Sequence, residues 1–332
     1  MNVLAIESSC DDTAAAVFID GKLRSNLLAS QAIHAEWGGV VPELASRAHQ
    51  QAIVPVVQAA LGKAGITASM LGLIAYTQGP GLLGSLLVGQ SFAKGLAQSL
   101  GIPIIGVNHM QAHVLALLID EPKPSFPFIC LTVSGGHTQL VVARSPMDME
   151  IIGQTLDDAA GEAFDKCAKM LGLPYPGGPL VDALAAEGNP KAYPFPIAQI
   201  PGLDYSFSGL KTAILNFVQK QGEPFVQANL KDVCASIQHT IIQTLLAKLV
   251  LAVKQTGIKT VGLAGGVSAN KGLRVAIKEM GMCENWQVFV PKLEYCTDNA
   301  AMIGLAGILA YQQGHRGTLA DGIYTRQNGQ VT

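Results

Sequence analysis

Residues 3–18 read Val3-Leu4-Ala5-Ile6-Glu7-Ser8-Ser9-Cys10-Asp11-Asp12-Thr13-Ala14-Ala15-Ala16-Val17-Phe18, an apolar strand, a polar turn and a second apolar strand. The plan returns as Phe128-Ile129-Cys130-Leu131-Thr132-Val133-Ser134-Gly135-Gly136-His137-Thr138-Gln139-Leu140-Val141-Val142, with glycines in the turn. Strands this apolar are expected to be buried on both faces of a sheet. Two such hairpins about 125 positions apart predict a duplicated α/β unit, and hence two lobes.

Outward from the hairpins the pattern changes period. Leu44 to Leu61 and Leu82 to Leu100 repeat apolar residues at helical spacing, while Leu71 to Tyr76 and Ile102 to Val107 are short buried-strand runs. Asp157 to Leu171 reads as an amphipathic helix opened by acidic residues, which suit a helix N-terminus. Residues 173–210 are rich in Pro, Gly and Tyr and read as a long irregular binding loop. A helix (Val233 to Gln255), a strand (Thr260 to Leu263), a glycine turn and another helix follow.

Of the 332 residues, 49% are apolar and 14% charged, a balance that provides a large core and excludes a disordered chain. No apolar run approaches the roughly 18 residues needed to cross a bilayer, and the first residues lack the basic start of a signal peptide. Six cysteines are scattered without a CxxC pair, which reads as reduced thiols in a cytoplasmic protein with no membrane association. The net charge of −2 gives no global attraction to nucleic acid, so an RNA ligand would require a local basic face or a second protein.

Four sets of residues carry possible chemistry. Ser134-Gly135-Gly136 and Ala264-Gly265-Gly266-Val267-Ser268-Ala269-Asn270 both follow apolar strands, where small residues let a phosphate or ribose approach the backbone amides. One Gly-Gly pair is commonly only a turn; two in a duplicated frame favour a nucleotide cleft. Neither turn matches a Walker or dinucleotide fingerprint. In Asn108-His109-Met110-Gln111-Ala112-His113 the spacing of four puts two imidazoles on one helix face. They read either as two metal ligands or as two half-buried histidines with backbone partners. Asp298 reads either as a third ligand or as an ordinary helix N-cap. Two histidines and a carboxylate would suit Fe(II) or Zn(II). Glu7, Asp11 and Asp12 occupy the first turn; Asp158, Glu162 and Asp165 share a predicted helix face, where solvation is the commoner role. Tyr205 to Thr212 combines aromatic, polar and basic groups, as a base or phosphate contact or a packed loop would.

Taken together, IESSCDDT (6–13), GGVVPELASR (38–47), YTQGPGLLGSLLVG (76–89), NHMQAH (108–113), VSGGHTQL (133–140), DDAAGEAFDK (157–166), YPGGP (175–179), FSGLKT (207–212), AGGVSAN (264–270) and CTDNAAMI (296–303) resemble the TsaD family of tRNA threonylcarbamoyltransferases, in family order over almost the whole chain. The resemblance implies a two-lobed fold of the actin, sugar-kinase and Hsp70 type with a cleft between the lobes. The lobes are expected at 1–126 and 127–332, with the last helix able to pack back on the first. It implies transfer of a threonylcarbamoyl group from threonylcarbamoyl-adenylate to N6 of the adenosine beside the anticodon, in tRNAs decoding ANN codons. By match, His109, His113 and Asp298 are implied metal ligands, for Fe(II) first and Zn(II) second. Thr132, Val133, Ser134, Gly135, Gly136, Asp165, Gly178, Asp182 and Asn270 are implied to hold the adenylate, and Asp11 to be the catalytic carboxylate. Implied partners are a TsaB-like paralogue and a TsaE-like ATPase.

Three departures stand out. Gln111 and Ala112 replace the middle pair of the family's His-Met-Glu-Gly-His, removing a carboxylate next to the ligands. Asp12 stands where many members have Glu, and the tail after Gly317 lacks the family's Arg-Pro-Arg-Trp ending. Competing classes are an ATPase or phosphotransferase of the same fold, a metallopeptidase and a non-catalytic scaffold. Met110 stands where a zincin needs its glutamate, which counts against the peptidase.

Overall fold

The computed structural model describes residues 1–30 and 39–326. Gly38 of the GGVVPELASR stretch and the last six residues of the tail lie outside the described residues. The chain forms two compact units: Met1–Lys123 with Arg144–Met149 and Asp298–Thr332, and Pro124–Ala143 with Glu150–Thr297.

In the first unit, β1 (Asn2–Glu7), β2 (Thr13–Ile19) and β3 (Lys22–Ala29) form an antiparallel meander. Then come α1 (Pro42–Ala64), β4 (Leu73–Gly79), α2 (Leu83–Leu100), β5 (Ile104–Asn108) and α3 (His109–Leu115). β4 runs parallel to β1 and β5 parallel to β4, giving a sheet ordered β3-β2-β1-β4-β5. Both faces are covered, so β1 and β2 need no polar alternation. Ile53, Val56 and Val57 of α1 and Ala93 and Ala97 of α2 pack with Leu4, Ile6, Val17 and Tyr76 of the sheet. Against β1, β2 and β4 also packs α10 (Ala300–Gln312), a helix from the far end of the chain. It lies close because a Cβ at Gly307 would come within 2.5 Å of the Ala75 Cβ.

The second unit repeats the plan with β6 (Phe128–Val133), β7 (Thr138–Ser145) and β8 (Asp148–Gln154), followed by α4 (Ala160–Met170), α5 (Gly177–Ala185), α6 (Ser208–Gln221), α7 (Glu223–Ala228) and α8 (Leu230–Thr256). Next are β9 (Thr260–Ala264), parallel to β6, then α9 (Lys271–Glu284) and β10 (Gln287–Phe289), parallel to β9. The order β10-β9-β6-β7-β8 is the first sheet's order again, so the duplication expected from the hairpins extends to topology. α8 is long and apolar enough to cross a membrane, yet 67% of its most apolar stretch is buried. Ile237, Ile241 and Leu245 are spent on the core beneath β6.

Two local expectations change. Asp157 and Asp158 precede α4 instead of opening it, because Asp157 accepts from Phe207 N (2.8 Å) and Ser206 Oγ (2.5 Å). The stretch read as irregular contains α5, whose Gly-Gly-Pro start resembles a breaker. Pro179 sits in its first turn, where no intrahelical N–H is needed.

Candidate functional site

His109, His113 and Asp298 come together in the first unit. Parallel strands β1, β4 and β5 end side by side, and α3 begins directly after β5, so His109 sits at the carboxyl edge of the sheet where ligands of open α/β sheets bind. Asn108 caps α3 by accepting from Gln111 N (2.9 Å), and one turn later His113 faces the same way. Asp298 arrives just before α10. Asn299, not Asp298, caps that helix by accepting from Met302 N (3.0 Å), which frees the Asp298 carboxylate. Asp298 Oδ1 lies 3.3 Å from Nε2 of both histidines, and one ligand atom from each of the three residues falls within 4.8 Å of the others.

The geometry fits a cation. His113 is buried, and neither of its ring nitrogens makes a hydrogen bond despite the nearby carboxylate. An orphaned buried nitrogen costs about 1–3 kcal/mol unless something satisfies it, and a metal would. Two imidazoles and one carboxylate, with Asp298 partly open to solvent, would leave coordination positions free.

Behind the triad lies a group that the sequence reading left only as one carboxylate among three. Glu7 is fully buried, with Oε2 3.1 Å from His109 Nδ1 and accepting from Thr77 Oγ1 (2.5 Å), while Oε1 accepts from Ser9 N (2.5 Å). It fixes which His109 nitrogen would face a cation, the part a carboxylate behind a metal histidine performs. The carboxylate missing at Gln111 is thus matched by one from β1. Gln111 itself turns away, its Nε2 donating to Pro146 O (2.7 Å).

Charge is finely divided in this group. Burial disfavours the His109 cation, but Glu7 and Asp298 override it and hold its pKa well above the ordinary value. Burial drives His113 the other way, with Asp298 opposing and His109 adding to the fall. Glu7 and Asp298 are both held low: burial works against this, and His109 is the largest opposing influence on each. In the neighbouring turn, burial, then Asp11, then Asp298 push Asp12 from 3.8 to about 6. Asp12 therefore lies within electrostatic reach of Asp298, with Asp11 beside it. His49 pins this turn, with ring nitrogens 2.7 Å from Thr13 Oγ1 and 2.9 Å from Cys10 O.

The other expected residues gather in the second unit. Thr132 pairs with Ala264 across parallel strands, so the two glycine turns leave neighbouring strand ends. Gly135 and Gly136 are exposed, and a Cβ at either would meet nothing within 4 Å, leaving room beside their amides. The glycines that packing demands are others. A Cβ at Gly161 would fall 2.5 Å from Ser134 O, and one at Gly265, where φ is +86°, 2.4 Å from Val133 O. Asp165 Oδ1 accepts from Gly177 N (2.9 Å) and Gly178 N (3.0 Å), capping α5. Asp182 of α5 accepts from Lys271 N (2.9 Å) and Gly272 N (3.2 Å) at the start of α9. Asn270 caps α9 by accepting from Leu273 N (2.8 Å) and donates to Gln238 (2.7 Å). A short 3₁₀ turn, Gly266–Ala269, separates the second glycine turn from α9.

The remaining candidates are occupied. Tyr205 and Phe207 are buried and stacked on each other, so no base reaches them. Asp158 pairs with Lys211 and with Lys166 (2.9 Å), and Glu162 with Lys166 (2.6 Å).

A five-stranded lobe repeated with one strand order defines the actin and sugar-kinase class of folds. HypF from T. kodakarensis superimposes with a TM-score of 0.65 at 16% identity, over 94% of this chain and 48% of that one. A ROK hexokinase from Thermus thermophilus gives 0.52 at 17% identity, over 95% of this chain and 100% of that one. At such identities the likeness concerns fold alone. The family model described as TsaD, tRNA N6-adenosine threonylcarbamoyltransferase, matches residues 22–305. Curated proteins of that name are 61% identical in Christiangramia forsetii, over 94% of this chain and 93% of theirs, and 59% identical in Cytophaga hutchinsonii, over 94% and 92%. The chain belongs to the TsaD family and is a threonylcarbamoyltransferase; the kinase, peptidase and scaffold readings give way to it.

Proposed function

We propose that this chain transfers the threonylcarbamoyl group of threonylcarbamoyl-adenylate to N6 of the adenosine beside the anticodon in tRNAs decoding ANN codons. The observation that carries the reading is the His109, His113 and Asp298 cluster, backed by buried Glu7, in a chain so close to proteins named for that reaction. The three residues hold one divalent cation, Fe(II) before Zn(II). When bound, the cation supplies positive charge to the polarised carbonyl or the departing phosphate.

The chain's own residues do the rest. Gly135 and Gly136 offer backbone amides, Ser134 closes the turn by donating its own N–H to His137 O (2.8 Å), and Thr132 and Val133 set the end of the strand that presents them. Asp165, Asp182 and Asn270 already cap α5 and α9. Those helix starts therefore carry acceptors, which suit ribose hydroxyls better than a phosphate. The phosphate belongs at the glycine turn, with Gly178 beside the ribose. The N6 amine attacks the carbamoyl carbon, the carbon–oxygen bond to phosphate breaks, and AMP leaves with that electron pair. Asp11 accepts the N6 proton and passes it to solvent. Catalysis is mainly orientation and charge stabilisation, since the N6 lone pair is delocalised into the ring.

The net charge of −2 supports assisted tRNA binding. We assign that assistance to a TsaB-like paralogue and a TsaE-like ATPase, and the setting to the cytoplasm, where the six free cysteines stay reduced. The test is nucleoside mass spectrometry on unmodified tRNA incubated with the chain, both partners and an adenylate source. Threonylcarbamoyl-adenosine that disappears with Asp11→Asn supports the proton role; full transfer by that variant refutes it.

A further inference from the structure

The turn that carries Asp11 is held from two helices. Glu7 pairs with Ala14 across β1 and β2, so the chain turns over residues 8–13. The first half of this turn is held by the start of α2. There Leu82 N donates to Ser9 O (2.7 Å), Ser8 Oγ to Ser85 O (3.1 Å) and Ser85 Oγ to Cys10 O (2.8 Å). The second half is reached from α1, where His49, two turns into the helix and with no exposed surface, spans the turn. Its Nε2 lies 2.9 Å from Cys10 O and its Nδ1 2.7 Å from Thr13 Oγ1. Thr13 is itself fully buried, while Asp11 and Asp12 between the two anchors are only half-buried.

The two contacts decide where the ring proton sits. A carbonyl oxygen only accepts, so Nε2 must carry the proton and donate to Cys10 O. In the neutral ring Nδ1 is then an acceptor, and the Thr13 hydroxyl donates to it. A flat ring with two fixed nitrogens thereby sets the spacing between the ends of the turn. A catalytic proton acceptor has to stay within hydrogen-bond reach of the proton it takes, and misplacement by about 1 Å costs on the order of a hundredfold in rate.

We propose that His49 is a positioning residue for Asp11, a role that presupposes Asp11 as the acceptor of the N6 proton. In its Nε2–H form the ring ties Cys10 O to Thr13 Oγ1 and so fixes the turn from which the Asp11 carboxylate meets the amine.

Thr13→Val removes the hydroxyl and keeps the branched shape; Thr13→Ser restores the hydroxyl. Single-turnover transfer to unmodified tRNA, with both partners and an adenylate source, is measured for each in the wild-type and Asp11→Asn backgrounds. Thr13→Val should slow transfer about ten- to a hundredfold at saturating tRNA and adenylate, with the half-saturating concentrations unchanged. Thr13→Ser should recover most of the rate. In the Asp11→Asn background Thr13→Val should cost nothing more, because the group that His49 positions is already lost. In the 15N spectrum of histidine-labelled chain, the resonances that His49→Gln removes should report a neutral ring with its proton on Nε2. An unchanged rate for Thr13→Val, the same further loss in both backgrounds, or a proton on His49 Nδ1 overturns the proposal. Full transfer by Asp11→Asn alone refutes instead the reading of Asp11, and the positioning role falls with it.

Discussion

His109 lies between two carboxylates, and this arrangement fixes how the site answers to pH. Glu7 and Asp298 hold a proton on its ring above the ordinary histidine range, so a cation must displace that proton to bind. Metal affinity should therefore rise with pH until His109 is deprotonated, and fall below that point by about tenfold per pH unit for one displaced proton. Titration calorimetry across pH 5 to 9 checks the slope; a flat profile would remove His109 from the ligand set. Glu7→Gln should weaken metal binding about 10–100-fold while leaving all three ligands in place. Asp12 gives a second pH signature. Its raised pKa means the folded chain holds this proton more tightly than the unfolded chain. Its share of stability is present below about pH 4 and is lost as pH rises through about 6. In the metal-free protein, Asp12→Asn should be more stable than wild type at pH 7 by on the order of 1–2 kcal/mol after solvent screening, with the gap closing below pH 4. Denaturant unfolding at the two pH values decides it. At this scale the sequence was partly legible. Spacing of four paired His109 with His113, but Glu7 meets His109 across 102 positions, and no local pattern carries such a partnership.

Elements were read best where burial sets the pattern. The two hairpins, α1, α2 and the strands β4 and β5 follow from runs of apolar residues that have nowhere to go but a covered sheet. What escaped were the places where polar side chains overrule periodicity. Asp157 holds Phe207 and so cannot begin α4, and α5 hides behind a Gly-Gly-Pro start that Asp165 caps from α4. Asp165, Asp182 and Asn270 form a relay of caps from α4 through α5 to α9, linking residues up to 90 positions apart. Because the relay joins three helices around one turn, damage to it should be structural as well as functional. Asn270→Ala should cost about 0.5–2 kcal/mol from the lost cap alone. It also leaves Gln238 Oε1 without its donor. A melting temperature unchanged from wild type would mean that the cap is dispensable. Gly265→Ala meets both a left-handed backbone and the Val133 carbonyl, and should be the more severe change.

For the whole molecule, duplication separates two kinds of chemistry. The first unit keeps histidines and carboxylates; the second keeps open glycine turns and capped helices. The same strand order in both shows how one sheet plan presents different side chains at its carboxyl edge. Fold alone would have allowed a kinase, as the likeness to a hexokinase illustrates. Family membership selects the transferase, and the proposed metal cluster of His109, His113 and Asp298 is what this chain would add to that frame. The measurement that bears most directly on this is nucleoside mass spectrometry of tRNA treated with the chain, its two proposed partners, threonine, bicarbonate, ATP and an adenylate-forming enzyme. Wild-type chain should yield threonylcarbamoyl-adenosine, and His109→Ala, folded but metal-poor, should yield on the order of a hundredfold less. Equal product from the two proteins would contradict the metal-centred account.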